Sequence, residues 1–501
     1  LKGDREYTII LKILSLLSSW RDMKKLVLIN PHPEVHYGEE NVTVLVQMPL
    51  NLGYLAALTP RDRWTVDIID ETIELAVDYR TGELRFDGAD LVGITAVSYQ
   101  APRAYQVARA CKKHGIPVVI GGPHASTVND EVTKYADAAV VGEAETVWGD
   151  LLRDLENGQL KKQYFGGLTP LERYGNLYPD RELLKKKYNY KYSSIITTRG
   201  CPNRCDFCAV PLFQGKKYRE RPVEDVLKEM ASTSYKGLMF AEDNFYGHSK
   251  KANERARDLF KGMTERNILK DWFGFTALNT AFDDETLKYM ASSGCLGILI
   301  GIESLDEEVL KGINKHVNLR IGVENYRKGI ENLHRHGIIC WGSVIFGADG
   351  DTKDNFKRMT DFTLESSMDI LTFGVYTPMP MTSSFHKLMQ EGRIFRNHFP
   401  EDWFYYNSNH LVFTLKDMTI EDLIEGLEYV FEHLYSREAL KARFDRTLKE
   451  TNNSKNAMFA YRINIDWRTV FKSVIDDLKA LYDSGVYPGV KGHSQLVVGS
   501  K

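Results

Sequence analysis

The sequence predicts an α/β protein in three parts: an N-terminal doubly wound parallel sheet, a central complete or partial (βα) barrel, and a C-terminal helical region. Three observations carry that reading. Short, continuous apolar runs alternate with helical patterns through the first 150 residues, as in a parallel sheet covered on both faces. From 191 to 380, strand–helix units recur at roughly thirty to forty residues, the spacing of barrel units. Beyond 380, apolar residues repeat at helical spacing.

At 501 residues the chain has room for two to four domains of about 150 residues each. Apolar residues make up 43% and charged residues 27%, which excludes a wholly disordered, collagen-like or membrane-spanning protein. Lys plus Arg number 65 against 68 Asp plus Glu, and a net charge of -3 offers no electrostatic reason to expect nucleic acid. Six cysteines are too few for a disulfide framework. No stretch approaches the ~20 uninterrupted apolar residues of a membrane span. The best, 7–17, is broken by Lys12 and lacks a small-residue cleavage site. Met23-Lys24-Lys25 directly precedes the first good strand, so Met23 reads as the natural start and 1–22 as an upstream extension or disposable helix. The expected location is cytoplasmic, which suits free thiols.

The first domain is placed at 23–150, with strands at 26–30, 66–70, 91–95, 118–121 and 138–141. The helix at 104–114 stops at Gly115 and Pro117. Such a sheet binds ligands beyond its strand C-termini, where the strand order switches. Those ends carry Asn30-Pro31-His32, Thr95 to Ser98, Gly121-Gly122-Pro123-His124 and Gly142-Glu143-Ala144-Glu145. The glycines would let a bulky ligand approach the backbone. No G-x-G-x-x-G follows a strand, so a dinucleotide site has little support. Residues 151–190 read as a linker whose Lys185-Lys186-Lys187 run is solvated surface.

The barrel, 191–380, has strands near 194–198, 238–241, 273–277, 298–302, 339–346 and 370–375, and its chemistry is expected just after each strand. The region 381–501 is read as a helical domain covering the substrate site. Thr419 and Asp422 form a capping pair, and Ile420, Leu423, Ile424, Leu427, Phe431 and Leu434 follow at helical spacing. Trp403-Phe404-Tyr405-Tyr406 reads as core packing in preference to a substrate wall.

After the first barrel strand comes Thr198-Arg199-Gly200-Cys201-Pro202-Asn203-Arg204-Cys205-Asp206-Phe207-Cys208, a C-x₃-C-x₂-C loop. Three thiolates on a tight loop can hold three corners of an iron–sulfur cube, leaving one iron open to a small molecule. Zinc would ask for four protein ligands. No fourth cysteine or histidine is near, the next histidine being His248. Three inert buried cysteines would not crowd onto a polar, proline-containing loop.

This loop resembles that of the radical S-adenosylmethionine enzymes, with Phe207 matching the aromatic before the third cysteine. The resemblance implies that Cys201, Cys205 and Cys208 bind a [4Fe–4S] cluster whose open iron chelates S-adenosylmethionine, and that one electron then yields a 5′-deoxyadenosyl radical. Glu242 and Asp243, after the second strand, look like the family's acidic motif near the ligand's ammonium. Glu303 and Ser304, after the fourth, look like its ribose motif, and Gly342 to Gly347 resembles its adenine edge. Taken singly, Glu242, Asp243 and Glu303 also read as helix N-terminal acids. Arg219 and Arg221 read as surface or loop anchors in preference to contacts for a ligand carboxylate.

The first domain resembles the cobalamin-binding domain of one large class of these enzymes, which includes C-methyltransferases and the anaerobic magnesium-protoporphyrin ester cyclase. Tyr376-Thr377-Pro378-Met379-Pro380 and the segments 402–403 and 410–413 also look like that class, with Met381 departing from its usual glycine. The resemblance implies cobalamin contacts at Ser98, Tyr99, Gly122, Pro123 and Gly142. There is no D-x-H-x-x-G loop, so no histidine is expected on cobalt. The implied activity is methylation of an unactivated carbon of a large substrate, a tetrapyrrole such as a bacteriochlorophyll precursor, with the cobalamin sheet's strand ends facing the barrel mouth. An external electron donor such as flavodoxin or ferredoxin would serve it, with neither nucleic acid nor a membrane span. The competing readings are oxidative cyclisation of a magnesium porphyrin ester, methylation of a hopanoid or natural product, and a non-enzymatic zinc or corrinoid carrier.

Overall fold

The computed structural model describes residues 23–32 and 47–488, apart from 174, 176, 189 and 248. The extension read at 1–22 lies outside them. The chain divides into two compact units, one formed chiefly by Pro49–Thr169 with the strand Lys24–Asn30, the other chiefly by the residues from Tyr190 onward.

The first unit is a six-stranded sheet: β1 (Lys24–Asn30), β2 (Trp64–Asp70), β3 (Leu91–Thr95), β4 (Val118–Gly121), β5 (Ala138–Val141) and β6 (Gln163–Phe165). The order is β2-β1-β3-β4-β5-β6 and every pairing is parallel. Leu26, Val27, Leu28 and Ile29 are all fully buried, so both faces are covered. Five strands match the sequence reading. The sixth comes from the segment read as a linker. It is three residues long with one buried side chain, Tyr164, too short to show any period.

The chain leaves β1 toward β2 on one side and resumes at β3 on the other, which opens a crevice at the C-termini of β1 and β3. The helix Ala101–Lys113 follows β3, starting three residues before the predicted one with Pro102 in its first turn. A buried ion pair braces the crevice from behind. Arg103 donates to both Glu71 oxygens, at 2.8 and 2.6 Å, and Glu71 also accepts from the backbone N–H of His32 and Ala76. That carboxylate joins the ends of β1 and β2 to the first turn of the helix.

The second unit holds β7 (Tyr192–Ile195), an antiparallel ribbon of β8 (Thr198–Arg199) and β9 (Arg219–Glu220), then β10 (Gly237–Phe240), β11 (Asp271–Thr276), β12 (Cys295–Glu303), β13 (Ile339–Phe346) and β14 (Ile370–Val375). Its main sheet is parallel in the order β14-β13-β12-β11-β10-β7, each new strand added on the same side. Among the described residues β14 and β7 do not pair, so the barrel is partial.

Met239, Phe273, Leu296, Ile339, Trp341 and Ile370 form a core with Phe459, Ala460 and Ile463 of the long helix Ser454–Asp483. Asn456 donates from this helix to the carbonyls of Cys295 and Gly337, where β12 and β13 begin. The long helix therefore packs toward the strand starts. The earlier part of the C-terminal region lies near the strand ends: Ser408 O accepts from Val375 N at 2.8 Å, and Ser384 N donates to Asp206 O at 3.0 Å.

Trp403 stacks on Phe399 at 3.7 Å beside Phe385 and Tyr406, and is 3% exposed, which is core packing. The Thr419–Asp422 capping box is present at the start of Ile420–Tyr435. No described helix is long and apolar enough to cross a membrane.

Candidate active site

The ribbon β8–β9 closes the cysteine loop at its base, Thr198 opposite Glu220 and Arg199 opposite Arg219. The loop can turn at Gly200 because glycine tolerates φ +84 there, and because an added Cβ would collide with the Lys217 carbonyl. Cys201 N then donates to Gly215 O at 3.3 Å and Gly200 N to Gln214 Oε1 at 3.0 Å. On its other side the loop is held by the segment after the helix Glu307–Gly312. Asn314 Nδ2 donates to Arg204 O at 2.9 Å, and Asp206 N donates to Ile313 O at 3.2 Å. Arg221 anchors the approach, donating to Ile196 O at 2.8 Å and pairing with the equally buried Glu229.

Cys201, Cys205 and Cys208 are part-buried free thiols. Burial pushes the pKa of each up, that of Cys208 to about 12, while the Lys315 ammonium pulls Cys201 and Cys205 back down. Cys208 feels the charges of Asp243, Cys205 and Cys201, so the three sulfurs converge on one region. Three thiolates gathered in a partly desolvated place repel one another until a multiply charged metal group neutralises them, and this donor set fits an iron–sulfur cube. Among the described residues no three His, Cys, Asp or Glu side chains are grouped for a single metal ion.

Asp243 lies close enough to Cys201 and Cys208 for its charge to raise both thiols. Its side chain is exposed to solvent, and the protein packed around it still pushes its carboxyl up to about 6. Its neighbour Glu242 does something else. It is 3% exposed, accepts from Thr197 N at 2.6 Å through Oε1, and its Oε2 has no partner among the described residues. Burial pushes it up to about 7. Glu242 thus braces the backbone that leads into the cysteine loop, while the charge of Asp243 acts on Cys201 and Cys208.

Glu303 ends β12 at a register shift and adopts φ +60, a left-handed conformation costly for a residue with a Cβ. Ser304 N donates to Ile302 O at 2.8 Å, closing a three-residue γ-turn around it. Asn318 Nδ2 supports the bulge by donating to the Gly301 and Ile302 carbonyls at 3.0 Å each. The turn aims the Glu303 carboxylate at Lys315 in an ion pair whose side chains are only 8% and 16% exposed. Lys315 Nζ lies 6.0 Å from the Phe207 ring centroid. Burial alone would pull its pKa down, but Glu303, Cys205 and Cys208 together push it up. Tyr376 brings its ring within 6.3 Å of Phe207 from the end of β14.

The structure thus brings Cys201, Cys205, Cys208, Phe207, Asp243 and Glu303 together. Ser304 is buried with its Oγ accepting from Asp306 N. Gly342 sits mid-strand, where an added Cβ would meet Met368 Sδ, whereas Gly347 lies past the strand end at φ +87 with its N–H on Asp351. Sequence reading missed Lys315, Asn314 and Asn318. They follow a short helix in a run that looks like an ordinary cap; the Glu303 turn gives Lys315 and Asn318 their partners, and the cysteine loop gives Asn314 its own.

In the first unit, Ser98 and Tyr99 lie in the one-turn segment Ser98–Gln100 after β3. Gln100 Nε2 spans the crevice to Pro31 O at 2.9 Å. Gly122 and Gly142 have φ +94 and +80, and each has an internal reason to lack a side chain. A Cβ would lie 2.9 Å from Ala96 O at the first and 2.5 Å from Gly166 O at the second. Ser126 Oγ donates to Gly122 O and accepts from Gly142 N, both at 2.9 Å, knitting the two loops. Pro123 opens a short helix beside them. Half-exposed Ser98, Tyr99, Gly122, Pro123 and Gly142 leave backbone and a hydroxyl along the strand ends, which suits a flat ligand fringed with amides such as a corrinoid.

Residues 195–363 match the radical SAM superfamily, 42–152 the B12 binding domain, and 382–495 a domain of unknown function. The chain is 30% identical to bacteriochlorophyllide d C-12(1)-methyltransferase of Chlorobaculum tepidum over 85% of this chain and 91% of that one. It is 32% identical to the C-8(2)-methyltransferase of the same organism over 72% and 79%. Among solved structures, the cobalamin-dependent S-adenosylmethionine radical enzyme OxsB, with aqua-cobalamin and S-adenosylmethionine bound, shares the fold. The TM-score is 0.61 at 13% identity, covering 93% of this chain and 81% of that one. The chain belongs to the radical S-adenosylmethionine enzymes that carry a B12-binding domain.

Proposed function

We propose that the protein is a cobalamin-dependent radical S-adenosylmethionine methyltransferase acting on an unactivated carbon of a large tetrapyrrole of the bacteriochlorophyll-precursor type. The convergence of three thiols with Asp243 and the Glu303–Lys315 pair carries the reading. The substrate class is supported by the tetrapyrrole named for the two methyltransferase relatives.

When bound, the cluster supplies the electron that splits the sulfonium, and cobalamin supplies the methyl group. Cys201, Cys205 and Cys208 hold three corners of the cluster. Asp243 accepts from the ligand's ammonium, and Glu303 from its ribose hydroxyls. Glu242 and Ser304 keep the loop backbones in place, Phe207 and Gly347 border the ligand, and Gly342 sets the strand beneath it. Ser98, Tyr99, Gly122, Pro123 and Gly142 line the corrinoid. The barrel spans 191–380 and the cobalamin domain 23–150, joined by 151–190 and followed by 381–501. The location is cytoplasmic, and a flavodoxin or ferredoxin supplies electrons.

Anaerobic purification with cobalamin, followed by an absorption spectrum and iron and cobalt analysis, tests the cofactors. Release of 5′-deoxyadenosine that Cys205→Ala abolishes is the expected result. A product heavier by one methylene unit supports methylation. Ring formation or oxygen insertion on a porphyrin ester would replace that reading with the cyclase, and about one zinc without iron would overturn both.

A further inference from the structure

One buried polar chain in the first unit has no part in the site as described so far. His124, on the short helix after β4, is 0% exposed. Its Nε2 lies 2.9 Å from Tyr105 Oη, and its Nδ1 lies 3.3 Å from Ser98 Oγ. Tyr105, on the helix Ala101–Lys113, is also fully buried and stacks on Tyr135 at 4.1 Å. Its hydroxyl donates to Glu131 Oε1 at 2.7 Å, and the same oxygen lies 3.4 Å from His124 Nε2, a second acceptor facing that nitrogen. Three separate elements thus converge on a buried imidazole, and Ser98 is the chain's outer end.

The proton count fixes its direction. Tyr105 has one hydroxyl hydrogen and gives it to a carboxylate, which only accepts. Toward His124 the tyrosine oxygen can therefore only accept, so His124 carries its proton on Nε2. Burial holds the His124 pKa below its ordinary value and the ring neutral, so Nδ1 is a lone pair and takes the Ser98 hydrogen. The outward side of Ser98 Oγ is left with lone pairs alone.

We propose that Glu131, Tyr105 and His124 are positioning residues that lock Ser98 as a pure hydrogen-bond acceptor at the corrinoid site, where it takes an N–H of a corrin carboxamide. The inference rests on the proposed cobalamin reading and adds to it the orientation of one contact. It also leaves His124 with both ring nitrogens engaged within the protein.

The experiment is titration of the full chain with aquacobalamin, read by absorbance, for wild type, Ser98→Ala, Tyr105→Phe and the double variant. Each single change is expected to weaken binding about 3- to 10-fold, the worth of one hydrogen bond. The double variant should be no weaker than Ser98→Ala alone, because Tyr105 acts only through Ser98. Glu131→Gln, whose amide can donate to the Tyr105 oxygen and reverse the chain, should match Tyr105→Phe. Thermal unfolding of each variant without corrinoid separates a folding loss from a loss of orientation. Additive losses, or a Tyr105→Phe variant that binds like wild type, overturn the relay while leaving cobalamin binding in place. A wild-type chain that takes up no corrinoid overturns the cobalamin reading itself and the relay with it.

Discussion

Lys315→Met removes one partner of the Glu303–Lys315 pair. Both side chains are at most 16% exposed, so the remaining carboxylate is left in a poorly solvated place near the Cys205 sulfur. Breaking a buried pair on one side costs about 3–5 kcal/mol. A unit of about 300 residues unfolds with about 2.1 cal/mol/K per residue, so each kcal/mol moves its midpoint by about 1.5 °C and the expected loss is about 5–8 °C. The double variant Lys315→Met/Glu303→Gln leaves no unpaired charge and should regain at least half of that loss. The assay is anaerobic thermal unfolding followed by circular dichroism, with iron content measured on the same samples. A Lys315→Met midpoint within about 1 °C of wild type would mean that water solvates Glu303 and that the pair is a surface contact. A double variant no better than the single one would mean that the cost arises from lost packing.

Gly200→Ala should strip iron from the purified protein while the first unit still binds corrinoid, because φ +84 and the Lys217 carbonyl both exclude a methyl group at that turn. Metal analysis checks it, and full iron occupancy would refute it. Trp403→Ala should cost about 3–5 kcal/mol by opening the stack with Phe399 and Phe385, and should leave the cluster's absorption in the folded protein unchanged. A lost spectrum would place this cluster in the site instead of the core. His334 is paired with Asp369 at 2.8 Å. Burial pulls its pKa down, but Asp369, with Glu450 and Glu331 behind it, outweighs burial and pushes it above 6.5. A raised folded value means the pair's stabilisation is complete below the unfolded pKa of about 6.5 and is lost as pH climbs through the folded one. His334→Gln should therefore lower the melting temperature more near pH 6 than near pH 9, and an equal loss at both would refute a charged His334.

The strands at 91–95, 118–121, 138–141, 339–346 and 370–375 were legible because each is a short apolar run with a turn at its end, a signal that depends only on neighbours in the chain. The three cysteines were legible for the same reason, since a loop ligand set is written in local spacing. β6 was not, being an edge strand of three residues that exists because β5 offers it hydrogen bonds. Nor was the different work of Glu242 and Asp243. Adjacent in sequence, they part company because Thr197 reaches one and the charge of the other acts on Cys201 and Cys208.

Composition, apolar rhythm and one cysteine motif by themselves determined the fold class and the kind of cluster this chain suits, because those properties follow from residues a few positions apart. Tertiary structure alone decided that Lys315 stands against Glu303, that the long C-terminal helix packs toward the strand starts, and that His124 is wired to Ser98. Each of these joins elements distant along the chain, and their meeting depends on how sheets and helices pack, which no local pattern encodes.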